Sequence, residues 1–374
     1  MRLMRIIFAG GGTAGHINPA LAVAGYVREK RPDAEILYIG AVGGMEERLV
    51  KQAGFEFRGI KISGFSRKIN IASLKKNIVT LKRVLTASAE SKEIIKSFKP
   101  DICVGTGGYV SGPILRKAAQ MGVPIIIHEQ NAFPGVTTKM LSNKADCVML
   151  AIEQAKKFFS EKCNVVVTGN PIRKEIISAN REPARTKLKL DERPVILSFG
   201  GSLGARKVNE AVLELIADTA KNDEFQHIHA YGQYGHWLLP ELKAKGVELS
   251  EHPNFDIREY INDMPTCLAA ADLVICRAGA ITLSELQVQG KASILIPSPN
   301  VAENHQYHNA MALVNNQAAS IIEEKDLTGE VLIKKVREML SQPALLRKYQ
   351  QNAKNMAICD AKERIYSIIE KIVK

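Results

Sequence analysis

Short apolar runs alternate with longer stretches in which apolar residues recur every three or four positions, and this rhythm fills the first 170 residues. RIIFAG (5–10), EILYIG (35–40), DICVGT (101–106), VPIIIHE (123–129), DCVMLA (146–151) and NVVVTG (164–169) are too short for helices and too continuously apolar for strands with a wet face. They predict strands buried on both sides. Helical segments between them give a β-α-β-α order, hence a doubly wound parallel sheet.

The rhythm then restarts. RPVILSFGGSLGARKVNEAV (193–212) repeats the apolar run, glycine turn and helix of the N-terminus about 190 residues later, and further strand-like runs follow in QHIHAYG, ADLVICRAG and KASILIPSP. The intervening NREPARTKLKLDERP (180–194) is polar and basic and reads as a surface connection. The expected fold class is α/β, with two Rossmann-like doubly wound domains facing across a cleft, at 1–168 and 169–351. The last 45 residues read as helical, and Asp360 with Glu363 offers a capping pair for a terminal amphipathic helix that could pack on either domain.

Composition changes this picture little. At 374 residues, 46% hydrophobic and 24% charged, the chain fills two domains and is no disordered polyelectrolyte. No apolar run approaches the ~18 residues of a membrane span. The opening MRLMRIIFAGGG has the basic flank of a signal peptide but too short an apolar stretch, so a soluble chain without an export signal is expected. Six separated cysteines without a C-x-x-C pair suggest reduced thiols in a cytoplasmic protein, three of them in core runs.

Charge changes it more. The net charge is +12, yet residues 171–374 balance at 26 basic and 26 acidic side chains, so the whole excess lies in residues 1–170. Residues 61–99 alone carry ten basic side chains against two acidic ones. This asymmetry implies an anionic partner for one half: nucleic acid, a membrane surface or a phosphorylated substrate. Within this region Ile71, Leu74, Ile78, Leu81 and Leu85 form one apolar helical face flanked by Lys68, Lys75, Lys76, Lys82 and Arg83. Such a helix either packs on its sheet or docks on an anionic membrane. Few aromatic residues accompany the charge and no recognised motif does, which argues against nucleic acid.

Gly10, Gly12 and Gly15 satisfy G-x-G-x-x-G between a strand and a helix, a turn whose amides can approach a phosphate. A nicotinamide-binding fold needs an acidic residue at the end of the second strand, where this chain has Gly40, Ala41, Val42, Gly43 and Gly44. A dehydrogenase is therefore disfavoured. GTGGYVSGP (105–113) and GGSLG (200–204) are further glycine turns at strand ends. Together they point to an anionic ligand, although each alone is compatible with simple tight turning. No G-K-[ST] is present, against a hydrolytic P-loop.

His16, at the helix start beside the first turn, suits a helix cap or a general base. His128 ends a strand in HEQN (128–131), where Glu129 and Asn131 could bind a sugar, orient a base or bridge loops. His305 and His308 are one helical turn apart but lack the glutamate of a zinc H-E-x-x-H motif, and no Asp-x-Asp is present, so no metal is expected. If the ligand is a nucleoside diphosphate, helix N-termini and Arg173 must stabilise its charge.

GGGTAGH, GTGGYVSGP, HEQN, GNPIR (169–173), GGSLGA, RAGAITLSE (277–285) and HQYHNA (305–310), in this order, resemble the MurG family of peptidoglycan glycosyltransferases. The resemblance implies the GT-B architecture, an acceptor-binding N-terminal domain on which a terminal segment, 352–374, packs back, and a C-terminal domain for UDP-N-acetylglucosamine. It implies inverting transfer of N-acetylglucosamine to the 4-hydroxyl of the muramoyl sugar of lipid I, giving lipid II, without a cofactor.

By motif, Thr13, Ala14, Gly15 and Asn131 would meet the donor sugar, Arg173 its diphosphate and Ser202 the nucleotide. Ile261 would lie against uracil through its backbone. Ala280, Ile281, Thr282, Leu283, Ser284 and Glu285 would form the nucleotide loop, with Glu285 on the ribose, and Gln306 would read the sugar hydroxyls. His16 would be the proton acceptor, and Gly105, Gly107, Gly108 and Tyr109 the acceptor or phosphate loop. Ile71, Leu74, Lys75, Ile78, Leu81, Lys82 and Leu85 would face the membrane, placing the chain peripherally on the cytoplasmic face of the plasma membrane, with cell-wall synthesis and division proteins as further partners. Ala14 stands where many members have glycine, and Leu203 where glutamine is frequent. Other readings are a GT-B transferase with another lipid acceptor, such as diacylglycerol, and a non-catalytic nucleotide-sugar-binding protein.

Overall fold

A computed structural model describes residues 3–63 and 86–374. The expected membrane-facing residues from Ile71 to Leu85 lie outside the described residues. The chain forms two compact units, Met1–Ile172 with Asp360–Lys374, and Arg173–Cys359.

The first unit is built on a seven-stranded parallel sheet, β1 (Arg5–Gly10), β2 (Glu35–Ala41), β3 (Glu56–Ile60), β4 (Ile102–Gly107), β5 (Ile125–Glu129), β6 (Cys147–Leu150) and β7 (Val165–Val167). Their order is β3-β2-β1-β4-β5-β6-β7, so chain direction across the sheet reverses between β1 and β4. The central strands are buried on both faces: Ile7, Ile39 and Cys103 pack on one side, Phe8, Tyr38 and Val104 on the other. This is why they read as continuous apolar runs. β3 escaped that pattern because EFRGI is an edge strand with a charged residue at every second position until Gly59.

The second unit repeats the plan with six parallel strands, β8 (Val195–Phe199), β9 (Gln226–Ala230), β10 (Phe255–Arg258), β11 (Leu273–Cys276), β12 (Ala292–Leu295) and β13 (Ser320–Ile321). The order β10-β9-β8-β11-β12-β13 places the reversal between β8 and β11. Edge strands β10 and β13 are short and were not expected from the sequence pattern. Arg185, almost fully buried, ties this unit's entry to its sheet through Asp272 (3.2 Å) and the carbonyls of Asp191 and Arg193.

The terminal segment differs from expectation in its bounds. Residues 352–355 finish the helix Pro343–Asn355, whose Leu346 and Tyr349 pack on the second unit's core. The chain returns to the first unit only from Asp360. Its helix Ala361–Val373 buries Ile365 and Ile369 with Val23 and Val27, and Tyr366 meets Tyr26 edge-to-face at 5.7 Å. Cys103, Cys147, Cys267 and Cys276 are buried free thiols, one more than the three expected in the core, and Cys163 and Cys359 are also free. Among the described residues, no helix is long and apolar enough to cross a membrane.

One polar cluster lies wholly inside the second unit. Ser198 Oγ sits 2.7 Å from His227 Nε2 and 2.7 Å from His229 Nδ1, so the hydroxyl donates to one ring and accepts from the other. Burial pushes the His229 pKa down to about 4 and His227 well below 6.5. Both rings fold neutral, whereas the unfolded chain protonates them near 6.5, so their contribution is full above that pH and is lost as pH falls. Lowering the pH from 6.5 to 4 should cost the second unit about 3 kcal/mol through His229 alone. Denaturation followed by the single tryptophan, Trp237, which packs on that unit's core, measures it. Stability constant across this range would contradict the assignment.

Candidate active site

In the first unit, β1 and β4 both end in glycine turns that meet backbone to backbone. Gly108 has φ +81°, and a Cβ there would stand 2.2 Å from the Gly11 carbonyl oxygen. The helix Ala14–Lys30 starts directly after, with Thr13 extended at its N-cap position. Thr106 Oγ1 donates to the His16 carbonyl at 2.7 Å, pinning the first helical turn to the end of β4.

His16 is half-buried, with Nδ1 3.2 Å from the Gly11 carbonyl oxygen and 3.2 Å from Thr13 Oγ1. A carbonyl only accepts, so the Gly11 bond requires the proton on Nδ1 and leaves the Nε2 lone pair available. That edge of the ring lies along Gly107, where a Cβ would approach Nε2 to 3.2 Å. Burial lowers the imidazole pKa below 6.5, while Glu129, the Gly11 bond and Glu46 pull it upward. The ring is accordingly neutral at pH 7, as a proton acceptor must be.

Sequence reasoning missed Glu46. It is fully buried, with Oε1 accepting the Ala41 N–H at 3.0 Å and Oε2 the Gly12 N–H at 3.2 Å. Its carboxyl fills the space that a side chain on Gly11 or Gly44 would need. The Gly11 N–H is bonded to the Gly107 carbonyl at 3.4 Å. The first glycine turn therefore does not offer these two amides to a phosphate, contrary to the expectation from G-x-G-x-x-G: one amide is held by backbone and the other by a carboxyl group. The available signal was an acidic residue just beyond the second strand, five positions after Ala41.

Other expected residues fall into clear places. Gly105 is buried inside β4, where Leu115 fills the space of a Cβ, so it packs the sheet rather than lining a loop. Gly107 is the N-cap of the helix Gly108–Gln120, and the Tyr109 ring borders Gly12. Thr13, Ala14 and Gly15 are exposed at the head of the His16 helix. His128 does not offer a reactive nitrogen: Nε2 lies 2.9 Å from the Gly169 carbonyl, and Nδ1 lies 3.0 Å from the Gln130 amide. Glu129 accepts from the Asn131 backbone and side-chain amides, both at 3.1 Å, from Gly135 N–H at 3.0 Å and from Thr138 at 2.7 Å. It thereby fixes the loop that presents Asn131.

The second unit has an open cavity of about 550 Å³ at the corresponding strand ends, bordered by Gly200, Gly201 and Gly204 after β8 and by Arg277 and Gly279 after β11. Thr282 and Gln306, both expected, line it; Arg206, Lys207 and Arg277 line it without having been singled out. The N-terminus of the helix Ala280–Gln289 adds partial positive charge. Gln306 Oε1 accepts the Ser298 N–H at 2.8 Å, leaving its NH₂ end for a ligand. Arg277 is steadied by Glu324 and by the carbonyls of Ile296 and Pro297. The position of Arg277 at the end of β11, beside the strand-order reversal, was the readable signal.

Arg173 is not among the residues lining this cavity; its Nη2 lies 3.5 Å from Glu285 Oε1. Burial raises the Glu285 pKa and Arg173 opposes it. Leu283 is core, with its N–H bonded to Gly279, so it offers a ligand neither side chain nor amide. Ile281 is half-buried, and Ser284 donates back to the Ala280 carbonyl at 3.2 Å. Ser202 is exposed in a turn held by Gln233, and the Ile261 side chain is buried.

Comparison with known proteins fits both halves to one family. Residues 6–150 match the glycosyltransferase family 28 N-terminal domain and residues 195–372 the family's C-terminal domain. The chain belongs to glycosyltransferase family 28. A relative from Acetivibrio thermocellus, named UDP-N-acetylglucosamine--N-acetylmuramyl-(pentapeptide) pyrophosphoryl-undecaprenol N-acetylglucosamine transferase, is 46% identical over 99% of each chain. One of the same name from Desulfitobacterium hafniense is 44% identical over 98% of each. The crystal structure of Acinetobacter baumannii MurG is similar at TM-score 0.79 and 29% identity, covering 98% of this chain and 99% of that one. The family 28 chain is thus a hexosyltransferase of the GT-B class.

In this glycosyltransferase the glycine turns differ sharply in tolerance. Gly204 has φ +83°, and a Cβ would lie 2.2 Å from the Tyr231 carbonyl, whereas Gly279 has an ordinary φ of −69° and a Cβ there would meet only Thr282 Oγ1, at a comfortable 3.7 Å. Gly204→Ala should destabilise the second unit by about 2 kcal/mol and Gly279→Ala by under about 0.5 kcal/mol, read by Trp237-monitored denaturation. Equal effects would contradict the backbone-contact account.

Proposed function

We propose that this chain transfers N-acetylglucosamine from UDP-N-acetylglucosamine to the 4-hydroxyl of the muramoyl sugar of lipid I, forming lipid II for peptidoglycan. The observation that carries this reading is the full-length likeness to a transferase named for that reaction, 46% identical. The acceptor oxygen attacks the anomeric carbon, the bond from that carbon to the β-phosphate breaks, and its electron pair leaves with UDP. Configuration inverts. The hydroxyl proton passes to His16 Nε2, directly or through water, a contribution of about 10²–10⁴-fold.

Support for His16 comes from its neutral ring and the Nδ1 bond to Gly11, which together leave a basic nitrogen at a strand-end turn. Arg173, with the cationic cavity around Arg206, Lys207 and Arg277, suits a departing diphosphate, where fixed positive charge stabilises the transition state. Glu285 suits the ribose, Asn131 and Gln306 the sugar, Thr13 to Gly15 the reacting centre, Ser202 and the Ile261 backbone the nucleotide, and Gly107 to Tyr109 the acceptor. The ten basic side chains of residues 61–99 suit an anionic membrane surface, so the enzyme works peripherally on the cytoplasmic face of the plasma membrane. Cell-wall synthesis and division proteins are its expected neighbours.

UDP release from UDP-N-acetylglucosamine, measured with a short-chain lipid I analogue in EDTA, should depend on the acceptor. Release with diacylglycerol instead, or none although the donor binds, would overturn the assignment. The acid limb of kcat/KM should have its midpoint below pH 6.5, because burial lowers the His16 pKa. His16→Ala should reduce kcat about 10²–10⁴-fold. A folded His16→Ala enzyme with full turnover would remove His16 from the reaction.

A further inference from the structure

The Gly12 N–H that bonds Glu46 and the Gly11 carbonyl that bonds His16 belong to a single peptide group. Oε2 of Glu46 lies 3.2 Å from the Gly12 nitrogen, and His16 Nδ1 lies 3.2 Å from the Gly11 oxygen. The peptide is trans, so its N–H and C=O point in opposite directions, with the carboxyl on one side and the imidazole on the other. We propose that Glu46 is a positioning residue for His16, acting through the Gly11–Gly12 peptide as the orienting acid of a carboxylate–peptide–imidazole relay.

The physical argument is polarisation along a hydrogen-bonded chain. A carboxylate on the N–H of an amide draws that proton and pushes electron density onto the carbonyl oxygen, strengthening the bond the oxygen accepts. The strengthened acceptor holds Nδ1–H, fixes the tautomer and favours a positive ring once Nε2 gains a proton. In hydrolytic triads a carboxylate touches the imidazole directly; here one peptide stands between them, and no proton need cross it.

The surroundings are built for this. Both Glu46 oxygens accept backbone N–H groups, so the carboxyl group is fixed in orientation behind the turn. Tyr38 OH donates to the Gly10 carbonyl at 2.8 Å, holding the preceding peptide. The titratable groups facing His16 are Glu46 from the helix Met45–Gln52 and Glu129 from β5, while Tyr38 and Tyr109 face Glu46. Glu129 is bound within its own loop, so Glu46 is the acid with a hydrogen-bonded route to the ring.

The inference rests on reading His16 as the proton acceptor, and the test separates the two. The full chain with ¹³C,¹⁵N-histidine is titrated by NMR, the His16 signals being assigned by their loss in His16→Gln. Wild type should show the Nδ1–H tautomer. Glu46→Gln should move the His16 midpoint down, and Glu46→Asp, which keeps the charge, should restore most of it. The acid limb of kcat/KM should follow the same order.

A Glu46 that only packs the turn would lower stability while leaving the His16 midpoint and tautomer unchanged, and that result overturns the proposal. A shifted midpoint with an unshifted rate profile supports the relay and removes His16 as the base. Should Glu46→Gln fail to fold, wild type alone decides, because an Nε2–H tautomer is incompatible with the relay.

Discussion

Backbone meeting backbone at the ends of the first strands is the constraint on which both units depend. In the first unit Gly108 lies against the Gly11 carbonyl; in the second, Gly204 lies against Tyr231 and Gly232. A side chain at either contact would push neighbouring turns apart, and each turn launches a helix. Closeness there brings His16 to the Gly11 carbonyl in one unit and sets Arg206 beside Gly204 in the other.

The shared plan serves opposite electrostatics. Glu46 sits behind the first turn and occupies Gly12 N–H, so that turn carries a buried carboxyl group and suits proton handling. The second turn opens into a cavity lined by Arg206, Lys207 and Arg277, the first two paired with Glu210 and the last with Glu324. The two turns thus differ in what surrounds them, a half-buried imidazole and a buried carboxyl group at one and arginine and lysine side chains at the other.

Much of this was legible in the sequence, for physical reasons. Central strands such as RIIFAG and ADLVICRAG are buried on both faces, so their apolar runs are unmistakable. EFRGI and FDIR are edges in which charged residues alternate with apolar ones, so neither shows the continuous apolar run of a strand buried on both faces, and they went unread. Thr282 and Gln306, which line the cavity, and His16, beside the first glycine turn, were readable as candidates because they sit in ordered motif blocks. Glu46 left only a faint signal, an acid just beyond the second strand, because its contact depends on a helix folding the side chain back under a turn 34 residues earlier. His128 looked available at a strand end, yet its ring is consumed by Gly169 and Gln130, contacts that only the fold creates.

The division between the two turns is tested most directly by titrating UDP into the full chain labelled with ¹⁵N-glycine and following the individual amides. The account predicts large shifts at Gly200 and Gly201, with Gly11 and Gly12 unmoved because their N–H groups are already bonded to Gly107 and Glu46. Shifts at Gly11 and Gly12 as large as those at Gly201 would show that the first turn takes phosphate after all, and would contradict the account.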